Sequence, residues 1–206
     1  PSLGAKGLSI ILLEVNDLPG FRRGATLEKI GMQGQDTCEL FFDDVRVPVG
    51  NLLGPEEGKG FVQLMQQLPE ERMFIAMNAL GAMERALEET VQYAHDRKLF
   101  GKPLMEMQNT RFKLAEMQTT LTITRTFVND CVEKMIKHEL DATTAAMAKW
   151  WVSTQACQVI DECLQLHGGY GYMTEYPIAR LYTNSRVMRI YGGSNEVMKE
   201  LIARTL

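Results

Sequence analysis

The sequence predicts a mainly α protein: an antiparallel helical bundle preceded by the incomplete end of a β-sheet middle domain. Three observations carry that expectation. After Gly54, apolar residues recur at spacings of three and four along long stretches, the mark of helices with one buried face. Before Leu53 the chain instead holds short β-branched and aromatic runs broken by turn residues. Between the two textures lies a boundary, expected as residues 1–53 for the sheet remnant and 54–206 for the bundle. With 206 residues there is enough chain to bury a sizeable core in one or two domains.

In the first part, Leu8–Val15 is a strand-like apolar run, and Leu18-Pro19-Gly20 is a turn signal. Gly31 and Gly34 precede Thr37–Phe42, rich in strand formers, and Val45-Arg46-Val47-Pro48 follows. About fifty residues with unpaired edges make a marginal sheet by themselves. The sequence opens at Pro1 and enters a strand pattern almost at once, at Gly7, which suits a fragment better than a natural N-terminus.

A long helix is expected over about Gly60–Arg97, its face lined by Leu80, Met83, Leu87, Val91 and Ala94, with Pro69 kinking it or marking its start. Gly101 and Pro103 end it. A second helix, about Met105–His138, carries the seam Met117, Leu121, Thr124, Val128, Cys131, Met135. A third starts at the N-cap candidate Asp141 and carries Ala148, Val152, Ala156, Val159, Cys163, Leu166, until Gly168-Gly169 stops it with a left-handed cap. Pro177 opens a short helix running to about Arg189, and Ser194 caps a last one reaching Arg204.

Composition excludes several classes. The chain is 45% apolar and 23% charged, as ordinary globular proteins are, and its net charge of −4 gives no global attraction to nucleic acid or anionic membrane. A local basic pocket for a phosphorylated cofactor stays compatible with that charge. No apolar run reaches the roughly 18 residues of a membrane span, and no signal peptide opens the chain. Cys38, Cys131, Cys157 and Cys163 show no paired spacing and sit in apolar or amphipathic runs, so they read as reduced structural thiols, with no metal site.

Five segments carry the chemistry. They are Leu27–Leu40 closing with Asp43–Pro48; Glu71-Arg72 opening the long helix; Arg97-Lys98-Leu99-Phe100-Gly101-Lys102-Pro103; Gln165–Tyr172 followed by Glu175-Tyr176-Pro177; and Ile190-Tyr191-Gly192-Gly193-Ser194-Asn195-Glu196. Each alone is weak, and each has a plain structural reading. Arg97 and Lys98 are cations favoured by a helix C-terminus, Gly168-Gly169 a stop signal, Ser194 a cap, Glu70 and Glu71 first-turn acids. His167, at the edge of an apolar face, reads as structural. The Gly169-Tyr170-Gly171 run lacks the third glycine of a dinucleotide-binding βαβ unit.

In this order and with these separations, the five segments resemble the acyl-CoA dehydrogenases over nearly the whole chain. The resemblance implies flavin-dependent α,β-dehydrogenation of acyl-CoA thioesters, with FAD held by the bundle and no metal. It places Arg97 on the FAD pyrophosphate of a neighbouring subunit, Phe100 against the adenosine half and Gln108 nearby. Gln165, Gly168 and Gly169 let backbone approach the cofactor, and Ser194 and Glu196 meet its adenine end. The flavin site is then shared across an interface, which implies a homotetramer or dimer of dimers. An electron-transferring flavoprotein would reoxidise it, in the cytoplasm of a bacterium or the matrix of a mitochondrion. By the same resemblance the 206 residues alone lack the helices and strands that cover one side of the flavin and are expected to be inactive.

Most members of that family place the catalytic glutamate directly after the tyrosine of the fifth segment. Here Gly192 follows Tyr191. A branch that includes the long-chain and isovaleryl-CoA dehydrogenases keeps a small residue there and supplies the glutamate immediately before an arginine of the long helix. That matches Glu71-Arg72 and makes Glu71 the expected base, with Glu196 its rival. Gly192 would donate its N–H to the thioester oxygen, and Tyr191 would line the acyl cavity. Arg72 would either place the CoA-bearing part of the substrate or order the helix around Glu71. Transferring the carboxylate, as Glu71→Thr with Gly192→Glu, is expected to restore part of the activity lost without Glu71. Two rival functions remain on the same residues: an acyl-CoA oxidase or other flavoprotein oxidase on the same scaffold, and a non-catalytic helical association module.

Overall fold

The computed structural model describes residues 3–206; Pro1 and Ser2, where the abrupt start was read, lie outside the described residues. The backbone divides into two compact units, one reaching Gln67 and the other spanning Leu68–Leu206.

In the first unit, β1 (Phe21–Thr26) pairs antiparallel with β2 (Cys38–Phe42), setting Phe21 opposite Phe42 and Arg23 opposite Leu40. The ring centroids of Phe21 and Phe42 lie 5.3 Å apart, a cross-strand aromatic pair that pins this register. β1 escapes pattern reading because Arg22, Arg23 and Gly24 interrupt any alternation. The expected strand at Leu8–Val15 is not one: it makes a single antiparallel bridge, Ile11 to Leu52, flanked by the Leu12 N–H to Asn51 carbonyl bond at 2.8 Å. Leu8, Ile11 and Leu12 stay exposed, and among the described residues no neighbouring strand extends the ladder. Val45–Pro48 forms no strand either; Pro48 has no N–H to give a ladder.

The remaining elements are helical apart from one tight hairpin. α1 is Gly60–Asp96, β3 Lys98–Leu99, β4 Lys102–Pro103, α2 Gln108–Ile136, α3 Ala142–His167, α4 Pro177–Ser185 and α5 Asn195–Ala203. Pro69 lies within α1, neither starting nor ending it, and cannot donate to the Met65 carbonyl one turn back. The core of the second unit is where the three seams meet. Met73, Ala76, Leu80, Met83, Leu87 and Ala94 of α1 close on Leu114, Met117, Leu121, Val128 and Cys131 of α2. Ala148, Val152, Ala156, Val159, Ile160 and Cys163 of α3 complete it. Alanines on α3 let α2, α4 and α5 approach it closely, and methionines fill what is left. Val91, Met135 and Leu166 of these seams are only half-buried. All four cysteines are free. Among the described residues no helix is long and apolar enough to cross a membrane, and no three His, Cys, Asp or Glu gather as metal ligands.

Helix ends follow local chemistry. Asp141 Oδ1 accepts from the N–H groups of Thr143 (2.8 Å) and Thr144 (2.9 Å), capping α3. The Thr144 hydroxyl and those amides hold the Asp141 carboxyl below its ordinary range. Asp141→Ala is expected to lower stability by about 1 kcal/mol in urea melts at pH 7. Because the folded carboxyl titrates below the unfolded one, the cap's contribution is present above the unfolded value and vanishes as pH falls through the folded one. The variant and the parent should therefore converge in acid. Gly168 does end α3, but with φ 60° and ψ −137°, not the left-handed helical cap expected. That region is open to glycine because it has no Cβ, and it turns the chain straight into the 3-10 turn Gly168–Tyr172. Pro177 takes the first position of α4, which tightens into a 3-10 turn at Arg186–Arg189. The Ser194 hydroxyl caps α5 by accepting the Val197 N–H.

Candidate functional site

The residues expected to bear chemistry gather in two places on the second unit, at opposite ends of α3. The first is a cavity of about 630 Å³ whose lining includes Tyr93, Arg97, Gln165, Gly168, Gly169 and Tyr170. Arg97 leaves the end of α1, fixed by its own N–H to the Tyr93 carbonyl (2.8 Å) and by the Leu104 N–H to its carbonyl (2.7 Å). The hairpin between these bonds turns at Phe100 and Gly101, both with positive φ, the geometry of a two-residue hairpin turn. The Arg97 guanidinium stands 5.3 Å over the Tyr170 ring. His167 is buried beneath, stacked on Tyr93 at 4.2 Å, with Nδ1 2.8 Å from the Cys163 carbonyl. The Tyr93 hydroxyl donates to the His167 carbonyl at 3.1 Å. Burial lowers the His167 pKa, so at neutral pH it is an uncharged packing residue.

A Cβ added to Gly168 or Gly169 would meet nothing within 4 Å. The space before this backbone is open, with a guanidinium on its wall. Such a donor set fits the pyrophosphate of a dinucleotide. Two other expected residues flank the lining: Gln108 begins α2, exposed, next to the lining residues Asn109 and Thr110, and Phe100 projects from the hairpin tip beside the lining residue Leu99, 97% exposed. A fully exposed phenylalanine on a rigid turn has nothing to pack on within this chain.

The second place lies at the other half of α3, about 24 Å along its axis as measured from residue 165 to residue 149. Here the loop Tyr191–Ser194 crosses α1. Gly192 (φ 64°) and Gly193 (φ 94°) both lie in the region that disfavours side chains. A Cβ built on Gly192 would overlap Cδ1 of Ile75 on α1. Glu71 sits one helical turn before Ile75 on the same face, where Cβ atoms are about 5–6 Å apart. Glu71 is exposed. Tyr191 is half-buried against the core. Arg72, next to Glu71 in the chain, is turned inward, 6% exposed, its Nε lacking a partner among the described residues. Burial pulls the Arg72 pKa down, and Glu71 opposes that shift.

Glu196 lies in the first turn of α5, exposed; its own backbone N–H and the Ser194 hydroxyl hold its carboxyl below the ordinary range. Sequence reading gave Asn195 no role of its own and missed Ile75 and above all Lys149, which is fully buried beneath this loop. A signal existed. Lys149 falls four residues after Ala145 and three before Val152, on the stripe that α3 buries.

Residues 58–206 match the family model for the acyl-CoA dehydrogenase C-terminal domain. The chain is 52% identical over 202 residues to a mitochondrial long-chain specific acyl-CoA dehydrogenase of Mus musculus, covering 98% of this chain and 46% of that protein. An acyl-CoA dehydrogenase structure from Geobacillus kaustophilus superposes with a TM-score of 0.96 at 47% identity, over 100% of this chain and 53% of that one. For a butyryl-CoA dehydrogenase of Megasphaera elsdenii the TM-score is 0.94 at 39% identity, with the same two coverages. The chain spans about half the length of the curated relatives it matches.

Proposed function

Because the chain belongs to the acyl-CoA dehydrogenase family by its C-terminal domain, we propose that it serves FAD-dependent α,β-dehydrogenation of acyl-CoA thioesters, with Glu71 as base. The observation that supports this reading is the close approach of Gly192 to Ile75, a residue one helical turn from Glu71 on the same face of α1.

The chain's own residues divide the work. The Glu71 carboxylate takes the proton from the carbon α to the thioester carbonyl. The Gly192 N–H holds the carbonyl oxygen as negative charge grows on it, a donor of the kind worth roughly 3 kcal/mol. Bound FAD supplies the acceptor for the hydride that leaves the β carbon. Proton and hydride together account for the double bond formed. Tyr191 borders the acyl chain. Arg72, inward and unpaired at Nε, orders the helix around Glu71 and holds positive potential beside it, in preference to reaching CoA.

Arg97, Gln165, Gly168 and Gly169 belong, on this reading, to a neighbouring subunit's flavin, and Ser194 and Glu196 to the chain's own. Phe100, fully exposed at the hairpin tip beside Arg97, supports that division. It favours a homotetramer or dimer of dimers in which Phe100 and Gln108 also face the neighbour. An electron-transferring flavoprotein takes the electrons onward, in bacterial cytoplasm or mitochondrial matrix.

The test is anaerobic titration of the intact holoenzyme with acyl-CoA of graded chain length, expecting bleaching of the flavin. Absence of bleaching with every chain length overturns the reading, and peroxide formation in air identifies an oxidase instead. Arg97→Ala is expected to weaken FAD retention by about tenfold or more, measured by flavin release on dialysis. Unchanged retention would remove Arg97 from the cofactor site.

A further inference from the structure

The loop that presents Gly192 is gripped from inside. Lys149, 0% exposed, donates through Nζ to the Gly193 carbonyl at 2.6 Å and to Asn195 Oδ1 at 2.9 Å. The Asn195 amide donates to Thr154 Oγ1 at 3.1 Å and Ser153 Oγ at 3.2 Å, both on α3. On the other side of Gly192, the Tyr191 N–H donates to the Val187 carbonyl at 3.1 Å. Gly192 is thus bracketed by anchors, and the Lys149 anchor is the one made by a buried charge.

That choice of residue is costly for stability alone. An ammonium in the interior loses its hydration, and its partners here are neutral oxygens, not a carboxylate. The charged groups around it are Arg72 from α1, Arg189 from the 3-10 turn and Glu196 from α5, two cations and one acid. Desolvation accordingly pulls the Lys149 pKa down to about 8, with Glu196 opposing and the two arginines adding. A glutamine or an apolar side chain would fill the space with less loss. An ammonium adds two things: strong, directed donation to a loop carbonyl, and positive charge beside the atom where negative charge develops.

We propose that Lys149 is a positioning residue for dehydrogenation: by holding the Gly193 carbonyl and the Asn195 side chain, it aims the Gly192 N–H at the thioester oxygen. The inference rests on the reading of Gly192 given above. It assigns to α3, a helix that supplies no reacting group at this spot, control over the geometry of the oxyanion donor.

The experiment compares the intact holoenzyme with its Lys149→Met and Lys149→Gln variants in flavin content, melting, kcat and KM. A fifth readout is the ionisation of a bound 3-oxoacyl-CoA, whose enolate carries charge on the same thioester oxygen and absorbs light. In Lys149→Met, kcat is expected to fall about 100-fold with KM changed less than about threefold and flavin content unchanged. The bound ligand's ionisation should move up by about one to two pH units, since the same donor stabilises both charges. Lys149→Gln, keeping one neutral donor, should recover about a tenth of the lost rate. Unmoved kcat and ligand ionisation in a folded Lys149→Met overturns the inference. So does loss of rate only in proportion to lost flavin, or failure of both variants to fold, which assigns Lys149 to stability. Absence of flavin bleaching in the unmodified enzyme is different: it removes the proposed function itself, and the inference with it.

Discussion

Glu71→Gln is expected to lower kcat about a thousandfold or more while FAD stays bound and KM changes little. The amide fills the space of the carboxylate but cannot take a proton, so substrate still binds and the α C–H bond has no acceptor. Glu196→Gln provides the contrast. Its carboxyl sits at the start of α5, held acidic by Ser194 and its own N–H, and its loss should cost less than about tenfold in kcat. A Glu71→Gln enzyme with more than a tenth of the original turnover would end the assignment of the base.

Moving the carboxylate is the second large effect. Glu71→Thr removes the base; adding Gly192→Glu returns one from the facing loop. At φ 64° a side chain costs roughly 1–2 kcal/mol, and its Cβ overlaps Ile75 Cδ1. That methyl is the far end of a side chain and can swing toward the space Glu71 vacates. The double variant is therefore expected to regain about tenfold over Glu71→Thr, and Ile75→Val, which removes that methyl, should add several-fold more. Stopped-flow flavin reduction reads both steps. If the triple variant is no faster than Glu71→Thr alone, residues 71 and 192 do not face the same reacting carbon.

What could be read from sequence was whatever is local. The seams of α1, α2 and α3 declare themselves because burial repeats every three or four residues, and Asp141 declares its cap because the amides it serves are two and three residues on. The first fifty residues hid their structure for the opposite reason. Leu8–Val15 is apolar enough for a strand, but a strand exists only with a partner, and pairing is settled far away in sequence. The same division holds for the site. Arg97, Gln165, Gly168 and Gly169 come together around one cavity, with Phe100 and Gln108 next in chain to the lining residues Leu99 and Asn109. Lys149 went unnoticed because periodicity marks a buried position without saying why a charge occupies it.

The 26-residue α3 has a consequence for how this domain can change. One end of it shapes the cavity at Gly168 and the other grips the loop at Gly193, so the helix acts as a ruler between them. Adding or deleting one residue between Lys149 and Gln165 would shift one end by about 1.5 Å and turn it by roughly 100° relative to the other. No repacking of side chains absorbs such a rotation. Length variation among descendants of this chain must therefore collect in the connections, such as Lys137–Leu140, and spare the interior of the ruler.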